Sequence, residues 1–253
     1  MIAEHADRLE LGVVVVDVSV EVALFVRTLG VPVVVIGQPG DRTDAPHDLA
    51  YGVASLIVCP WPDGAYDPRP AERARGRVVH VGGVSRFGEL VSRPDDDASR
   101  RSPAGGPRRI LLLGQMATPA SPEAALAELR AAHPDVQWQS AGFVPGSRVD
   151  ALWPELRAAD VVVTAAGQNS IADVAAAGRP AVVIPQERPF DEQAASARAL
   201  ETLGLAATAP SWPTTTRLLA LIDEAPQLAP DWTRWHTRGA AARAARAIEE
   251  VVT

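Results

Sequence analysis

Short runs of valine and isoleucine recur along the 253-residue chain, and alanine-rich stretches of helical character separate them. Short apolar runs bounded by turn residues are typical of strands that are buried on both faces. Their alternation with helices predicts an α/β fold with parallel sheets covered on both faces, and the length permits two modest domains. The predicted strands are Val13 to Val16, Val33 to Ile36, Ser55 to Cys59 and Val78 to Val81, and then strands near Ile110, Val136, Val161 and Val182.

Composition divides the chain into four parts. Residues 1–92 hold the first four predicted strands, and residues 93–107 form a polar segment with proline and glycine. Residues 108–230 hold the remaining strands, and residues 231–253 end in a helix rich in alanine and arginine. We predict that these parts are a first domain, a linker, a second domain and a C-terminal tail.

Residues 164–180, TAAGQNSIADVAAAGRP, contain the most informative pattern. A predicted strand runs into a turn at Gly167 and then into a helix. The helix begins with Gln168, Asn169 and Ser170. Free N–H groups and the positive end of the helix dipole attract an anion there, and a phosphate is the natural ligand. The alternative is structural capping, since Asn or Ser followed by an acid is a common capping pattern.

Two further features favour a nucleotide over simple capping. Asp173 lies one helical turn after Ser170, where a carboxylate can accept hydrogen bonds from a ribose diol. Polar residues follow the next predicted strand, Ala181 to Pro185, at Asp191, Glu192 and Gln193. Open α/β sheets bind ligands beyond the carboxyl ends of their strands, so these groups belong to the same predicted site.

The whole segment GQNSIADVAAAGRPAVVIPQERPFDEQAASA resembles the donor-binding signature of the GT-B glycosyltransferases. This fold family includes the bacterial lipid-intermediate N-acetylglucosaminyl transferase. The resemblance implies a GT-B-like α/β fold with two Rossmann-like parallel-sheet domains. It implies diphosphate contacts from the turn and helix start, at Gly167, Gln168, Asn169 and Ser170. Asp173, shorter than the usual Glu, would hold the ribose. The implied contacts to the sugar hydroxyls are Glu192 and Gln193, with Asp191 adjacent.

The resemblance extends upstream of this segment. RILLLGQMATP resembles the first strand and phosphate-facing loop of the family's C-terminal domain, with the usual glycines reduced to Gly114. Arg148 and Val149 fall where the family supplies backbone contacts to the base. Arg86 falls in the segment that joins the domains, where the lipid-intermediate enzyme carries an arginine near the phosphates. The alternative for Arg86 is an exposed surface arginine.

The first domain departs from the family pattern. Gly12 to Gly40 resembles the middle of the acceptor-binding domain, and the opening strand of that domain is not found. We therefore expect an incomplete first domain. The strand at Val13 to Val16 would then be an apolar edge that pairs with a second copy or a partner subunit.

Asp17 and His47 are the candidates for the general base that glycosyl transfer needs. Asp17 matches an aspartate that orients the catalytic histidine in many relatives, and its alternative role is the N-cap of the following helix. The loop from Gly37 to His47 faces the interdomain cleft in relatives and would contact the acceptor. The acceptor-side candidates are Gln38, Arg42 and Asp44, and the alternative is a solvated loop.

Charge and cysteine content argue against several other classes of protein. The net charge of −7 argues against nucleic-acid binding. The single cysteine, Cys59, gives no disulfide framework, and the five histidines lack metal-ligand spacing. We expect no metal and no cofactor. A charged start and the lack of a membrane-length apolar stretch predict a cytoplasmic protein, either free or peripheral to a membrane.

We predict a glycosyltransferase that moves a sugar from a UDP or dTDP donor to the hydroxyl of a small-molecule or lipid-linked acceptor. The helix start would stabilise the charge that develops on the leaving diphosphate. Two alternatives remain open. One is a noncatalytic or obligate nucleotide-sugar-binding subunit, or a fragment, that needs a partner for the acceptor half. The other is a UDP-sugar 2-epimerase, which would need more histidines than this chain has.

Overall fold

The computed structural model describes residues 12–66, 76–91 and 108–252. These residues form two parallel β-sheets flanked by helices, so the predicted α/β class is confirmed. The predicted linker at residues 93–107 lies outside the described residues.

The first sheet has four parallel strands in the order β1-β2-β3-β4. They are β1 (Val14–Asp17), β2 (Val33–Ile36), β3 (Leu56–Cys59) and β4 (Arg77–His80). Helix α1 (Val20–Thr28) follows β1, and helix α2 (Ala45–Val53) follows β2. Each strand begins within one residue of its predicted start, because runs of β-branched residues favour strands.

The second sheet has five parallel strands in the order β6-β5-β7-β8-β9. They are β5 (Arg109–Leu113), β6 (Gln137–Ala141), β7 (Val161–Thr164), β8 (Ala181–Val183) and β9 (Ala207–Thr208). The helices are α3 (Pro122–Ala132), α4 (Leu152–Ala158), α5 (Gln168–Ala177), α6 (Glu192–Thr202) and α7 (Thr215–Glu224). The strand order switches direction at β5, which places a ligand crevice at the carboxyl ends of β5 and β7.

Alternate residues of β5 face opposite layers of apolar side chains. Leu111 and Leu113 pack in one hydrophobic cluster, whereas Ile110 and Leu112 pack in another. Burying a side chain of this size stabilises the fold by about 1.5–3 kcal/mol. The second sheet is therefore covered on both faces and holds the loops at its carboxyl edge in place.

The C-terminal tail returns to the first domain. After the 3-10 turn Trp232–Trp235, helix α8 (Ala240–Val252) packs its Ala247 against buried side chains of the first sheet. The Arg243 guanidinium also donates to the carbonyl of Val81, 3.0 Å from Nε. The tail therefore fixes the first domain against the second.

The two sheets also meet through loops at their carboxyl ends. The N–H of Asp41, which follows β2, donates to the carbonyl of Phe190, which follows β8, at 2.8 Å. The Tyr66 hydroxyl, which follows β3, donates to Oγ of Ser196 in α6 at 3.1 Å. Residues from both domains can therefore contribute to one site.

Candidate functional site

Helix α5 begins at the carboxyl end of β7, on the crevice edge of the second sheet. Gly167 is its N-cap, and no side chain among the described residues caps the helix. The N–H groups of its first turn have no intrahelical acceptor. Asn169 is exposed, and Nε2 of Gln168 is buried without a hydrogen-bond partner in the described part of the chain. An anion is the ligand that suits this helix start.

Four other helices differ from α5 because a side chain caps each of them. The capping residues are Ser19 for α1, Asp44 for α2, Ser121 for α3 and Thr214 for α7. In α5, neither Asn169 nor Ser170 takes that role. The capping interpretation of this motif is therefore wrong, and anion binding stays a prediction.

A cleft of about 420 Å³ opens at the carboxyl edge of the same sheet. Its lining comes from the loops after β5, β6 and β8: Gln115, Met116, Ala117, Pro122, Gly142, Phe143, Pro145, Gln186, Glu187 and Arg188. The Ala117 N–H donates to the Gln186 side chain, which ties two of these loops together. Gly114 enters the first loop with a φ of +73°, a conformation that favours glycine. The volume lies in the range of small-molecule sites.

Gln193 joins the loop before α5 to the loop after β8. Its Oε1 accepts hydrogen bonds from the N–H of Ala166 at 3.2 Å and from the N–H of Gln186 at 2.9 Å. The side chain is buried. Gln193 thus fixes the position of the start of α5 relative to the rim of the cleft. Its role as a sugar ligand remains a prediction.

The two residues predicted to hold the ribose and the phosphates bind each other. Asp173 is 2% exposed, and one carboxylate oxygen accepts from Oγ of Ser85 at 2.7 Å. Its other oxygen accepts from Nε and Nη2 of Arg86 at 3.0 and 2.8 Å. Both oxygens accept hydrogen bonds and the side chain is buried, so the role of Asp173 as a ribose ligand stays a prediction. Arg86 is an exposed arginine, as in the alternative interpretation, but its guanidinium is paired with Asp173.

Arg148 and Val149 lie in the turn between β6 and α4. Arg148 is exposed, and Val149 packs against the main hydrophobic cluster. Oγ of Ser140 and Oγ of Ser147 lie 2.6 Å apart, and the N–H of Gly142 donates to Oγ of Ser147 at 3.2 Å, which fixes the turn. The backbone of this segment is therefore held in place, and its contact with a base stays a prediction.

On the first-domain side, His47 stands between a carboxylate and a guanidinium. Its Nδ1 lies 2.6 Å from Oδ2 of Asp44, and its Nε2 lies 3.2 Å from Nη1 of Arg42. Because a guanidinium only donates, Nε2 accepts and the proton is on Nδ1. Burial raises the pKa of Asp44, but hydrogen bonds from His47 outweigh it and leave the pKa below its usual value. Both nitrogens of His47 are thus engaged, which disfavours its predicted role as a base.

Asp17 is the better-placed candidate for a base. It is exposed at the carboxyl end of β1, and Nε2 of Gln38 donates to its Oδ1 at 2.8 Å. The alternative role of Asp17 as a helix N-cap is wrong, because Ser19 caps α1 by accepting from the N–H of Val22. The structure therefore leaves Asp17 as an exposed carboxylate oriented by Gln38.

Sequence reasoning did not find Ser85 or Phe190. Ser85 precedes Arg86, and a hydroxyl beside a cation is too common a pattern to predict a bond across the domains. Phe190 and Asp191 have φ values of +62° and +53°, and a sequence motif for this conformation normally contains glycine or asparagine. The importance of this turn is visible only in its contacts with the first domain, such as the hydrogen bond from the N–H of Asp41 to the carbonyl of Phe190.

Residues 12–66, 76–91 and 108–252 give no support for a metal site, a nucleophilic cysteine or a membrane-spanning helix. No group of three His, Cys, Asp or Glu side chains there could hold a metal ion. Burial raises the pKa of Cys59 to about 12, so its thiol stays protonated at neutral pH and is a poor nucleophile. None of the helices described is both long enough and apolar enough to span a bilayer.

Comparison with known protein families matches the part of the chain that holds α5. The profile of the glycosyltransferase family 28 C-terminal domain matches residues 148–233. The UDP-N-acetylglucosamine–N-acetylmuramyl-(pentapeptide) pyrophosphoryl-undecaprenol N-acetylglucosamine transferase of Sorangium cellulosum (strain So ce56) is 29% identical to the chain. That match covers 71% of this chain and 47% of the relative, so the chain spans about half the relative's length.

Solved structures of other proteins share the fold of the whole chain. MurG of Acinetobacter baumannii has a TM-score of 0.65 and 18% identity, with 98% of this chain and 76% of MurG covered. The glycosyltransferase of kitacinnamycin has a TM-score of 0.66 and 20% identity, with 100% and 79% covered. The spinosyn rhamnosyltransferase complexed with thymidine diphosphate has a TM-score of 0.54 and 18% identity, with 98% and 71% covered. The predicted GT-B-like fold is confirmed.

Proposed function

We propose that this chain, which has the GT-B fold and matches the glycosyltransferase family 28 C-terminal domain over residues 148–233, transfers a sugar from a nucleoside diphosphate donor to an acceptor hydroxyl. The observation that carries the proposal is the uncapped start of α5 on the same sheet edge as the 420 Å³ cleft. A diphosphate suits the helix start, and a base and a sugar suit a cleft of this size.

The names of two similar proteins support two candidates for the nucleotide part of the donor. The Sorangium cellulosum transferase is named for UDP-N-acetylglucosamine, and the spinosyn rhamnosyltransferase was crystallised with thymidine diphosphate. We therefore propose UDP or dTDP as the carrier. The name of the Sorangium cellulosum transferase includes a pyrophosphoryl-undecaprenol, and another structure of the spinosyn rhamnosyltransferase is a complex with spinosyn aglycone, so both lipid-linked and small-molecule acceptors belong to the proposal.

In the proposed reaction, the acceptor oxygen forms a bond to the anomeric carbon while the bond from that carbon to the diphosphate breaks. The leaving diphosphate gains negative charge, which the first-turn N–H groups at Gln168, Asn169 and Ser170 would stabilise. The acceptor hydroxyl loses its proton to a base. Asp17 is our candidate for that base, because it is exposed and Gln38 orients its carboxylate.

One observation favours the alternative of a nucleotide-sugar-binding subunit without transferase activity of its own. Both ring nitrogens of His47 are bonded, one to Asp44 and one to Arg42, so this imidazole is not free to take a proton from an acceptor. Under this alternative the chain binds the donor, and a partner supplies the acceptor side. Donor turnover separates the two functions.

We expect the chain to release UDP or dTDP from a sugar nucleotide when an acceptor is present. The panel combines UDP-N-acetylglucosamine, UDP-glucose and dTDP-glucose with lipid-linked and small-molecule hydroxyl acceptors. Asp17→Asn should reduce turnover by about 10²-fold or more, since it removes the base. Asp135→Asn, at an exposed turn of the second domain, is the matched control and should not change turnover.

A donor that binds but is never turned over with any acceptor would contradict transferase activity and would leave the binding-subunit function. Equal turnover in wild type and Asp17→Asn would reject Asp17 as the base without affecting the donor site.

A further inference from the structure

The loop after β2 in the first domain clamps the turn that precedes α6 in the second. The turn is the 3-10 segment Pro189–Asp191, and Glu192 follows it as the first residue of α6. Glu192 is one of the predicted sugar ligands. The conformation of this turn therefore determines where the Glu192 carboxylate lies.

Arg42 is the centre of the clamp. Its side chain is 4% exposed, and Nη2 lies 3.4 Å from Oε2 of Glu192, which is 26% exposed. Nε donates to the carbonyl of Pro39 at 3.3 Å, and Nη1 donates to His47 at 3.2 Å. The guanidinium carbon lies 4.7 Å from the ring centre of Phe190, a cation–π distance. One buried cation thus contacts both the aromatic and the acidic residue of the turn.

The backbone of the turn is strained and is held by the same loop. Phe190 and Asp191 both have positive φ, which costs a side-chain-bearing residue free energy unless its surroundings fix it. The carbonyl of Phe190 accepts from the N–H of Asp41 at 2.8 Å. A Cβ at Gly40 would lie 2.1 Å from the same carbonyl oxygen, so glycine permits the close approach.

We propose that Arg42 is a positioning residue that presents Glu192 to the transferred sugar, and that the first domain thereby sets sugar recognition in the second. This inference rests on the proposed function. Arg42 is too deeply buried to contact the sugar, so it acts through Glu192 and Phe190. The prediction from the sequence that Arg42 contacts the acceptor is replaced by this role.

The proposal is testable because the predicted contacts to the nucleotide and to the sugar lie on different elements. The predicted diphosphate contacts lie at the start of α5, whereas Arg42 contacts Phe190 in the turn before α6 and Glu192 at the start of α6. Loss of Arg42 should therefore affect sugar nucleotides and leave free nucleotides unaffected. A general loss of folding would weaken both to a similar extent.

The experiment compares wild type with Arg42→Gln, Arg42→Lys and Glu192→Gln. Kd values are measured for UDP and dTDP and for UDP-N-acetylglucosamine, UDP-glucose and dTDP-glucose. For Arg42→Gln we expect the Kd of the preferred sugar nucleotide to rise about tenfold, with the Kd of the free nucleotide changed less than twofold. Arg42→Lys keeps the positive charge but lacks the planar, multi-donor guanidinium. Its Kd for the sugar nucleotide should therefore lie between those of wild type and Arg42→Gln. Arg27→Gln, an exposed arginine of α1, is the matched control.

Hydrogen exchange tests the clamp without any ligand. Peptides that contain Phe190–Gln193 should exchange faster in Arg42→Gln and in Glu192→Gln than in wild type or Arg27→Gln. Glu192→Gln breaks the same ion pair from the side of Glu192, whose side chain is 26% exposed. This variant therefore tests the contact even if Arg42→Gln does not fold.

Three outcomes overturn the inference. Unchanged exchange in both clamp variants would show that Arg42 does not hold the turn. Faster exchange with an unchanged ratio of sugar-nucleotide to nucleotide Kd would show that the turn does not present Glu192 to a sugar. Both of these results leave nucleotide binding by the wild type intact. Wild type that binds neither UDP nor dTDP would instead contradict the proposed function, and the role of Arg42 would fall with it.

Discussion

Arg86→Met is expected to lower the free energy of unfolding by about 2 kcal/mol or more. The change leaves the buried carboxylate of Asp173 with Ser85 as its remaining partner. A buried charge that loses its partner costs more than the net value of the pair. Because Arg86 follows the first sheet and Asp173 lies in α5, the loss should also loosen the contact between the domains. Urea unfolding measures the change.

Asp173→Asn should cost less than Arg86→Met, because the Arg86 side chain is 65% exposed and water can solvate it. The double variant should regain part of the stability that Arg86→Met loses, since no buried charge is left without a partner. Arg198→Met, at an exposed position of α6, is the control for loss of a surface arginine. Wild-type stability in Arg86→Met would mean that Asp173 is not bound to Arg86 in solution and is free to bind a ribose.

Asn169→Asp is expected to raise the Kd for UDP or dTDP about tenfold or more without weakening the fold. Residue 169 lies in the first turn of α5, where no acidic residue is present. A carboxylate there stabilises the helix dipole by about 0.3–1 kcal/mol, yet it repels a diphosphate at the same N–H groups. Affinity and stability should therefore change in opposite directions, as measured by nucleotide titration and thermal unfolding.

Thr216→Asp provides the matched control for Asn169→Asp. It adds the same charge to the exposed first turn of α7, on the same sheet, and it should leave nucleotide affinity unchanged. Equal loss of affinity in both variants would indicate a long-range effect of net charge. No loss in Asn169→Asp would place the phosphates elsewhere.

The parts of the molecule that the sequence predicts well depend on local patterns. The strands of the first sheet follow from runs of β-branched residues such as Val33–Ile36, the first three of which are buried in the sheet. The strand, glycine turn and helix around Gly167 are likewise contiguous in the chain. Local steric preference and helix electrostatics determine these features, so a single sequence is enough to predict them.

The parts that the sequence does not predict depend on pairs that are distant in the chain. Arg86 and Asp173 are separated by 87 positions, and Arg42 and Glu192 by 150. Each of these residues has an ordinary local context, and only the packing of the two domains brings the charges together. The sequence predicts Asp173 as a ribose ligand, whereas in the structure its carboxylate binds Ser85 and Arg86. It predicts Arg42 as an acceptor contact, whereas the structure buries Arg42.

Calorimetric titration of the wild-type chain with UDP and with dTDP tests the nucleotide site most directly. An uncapped helix start on the edge of a cleft of about 420 Å³ predicts saturable binding of at least one of them, with a Kd below about 1 mM. Absence of binding for both nucleotides at millimolar concentration would contradict the assignment of this edge of the second sheet as a donor site.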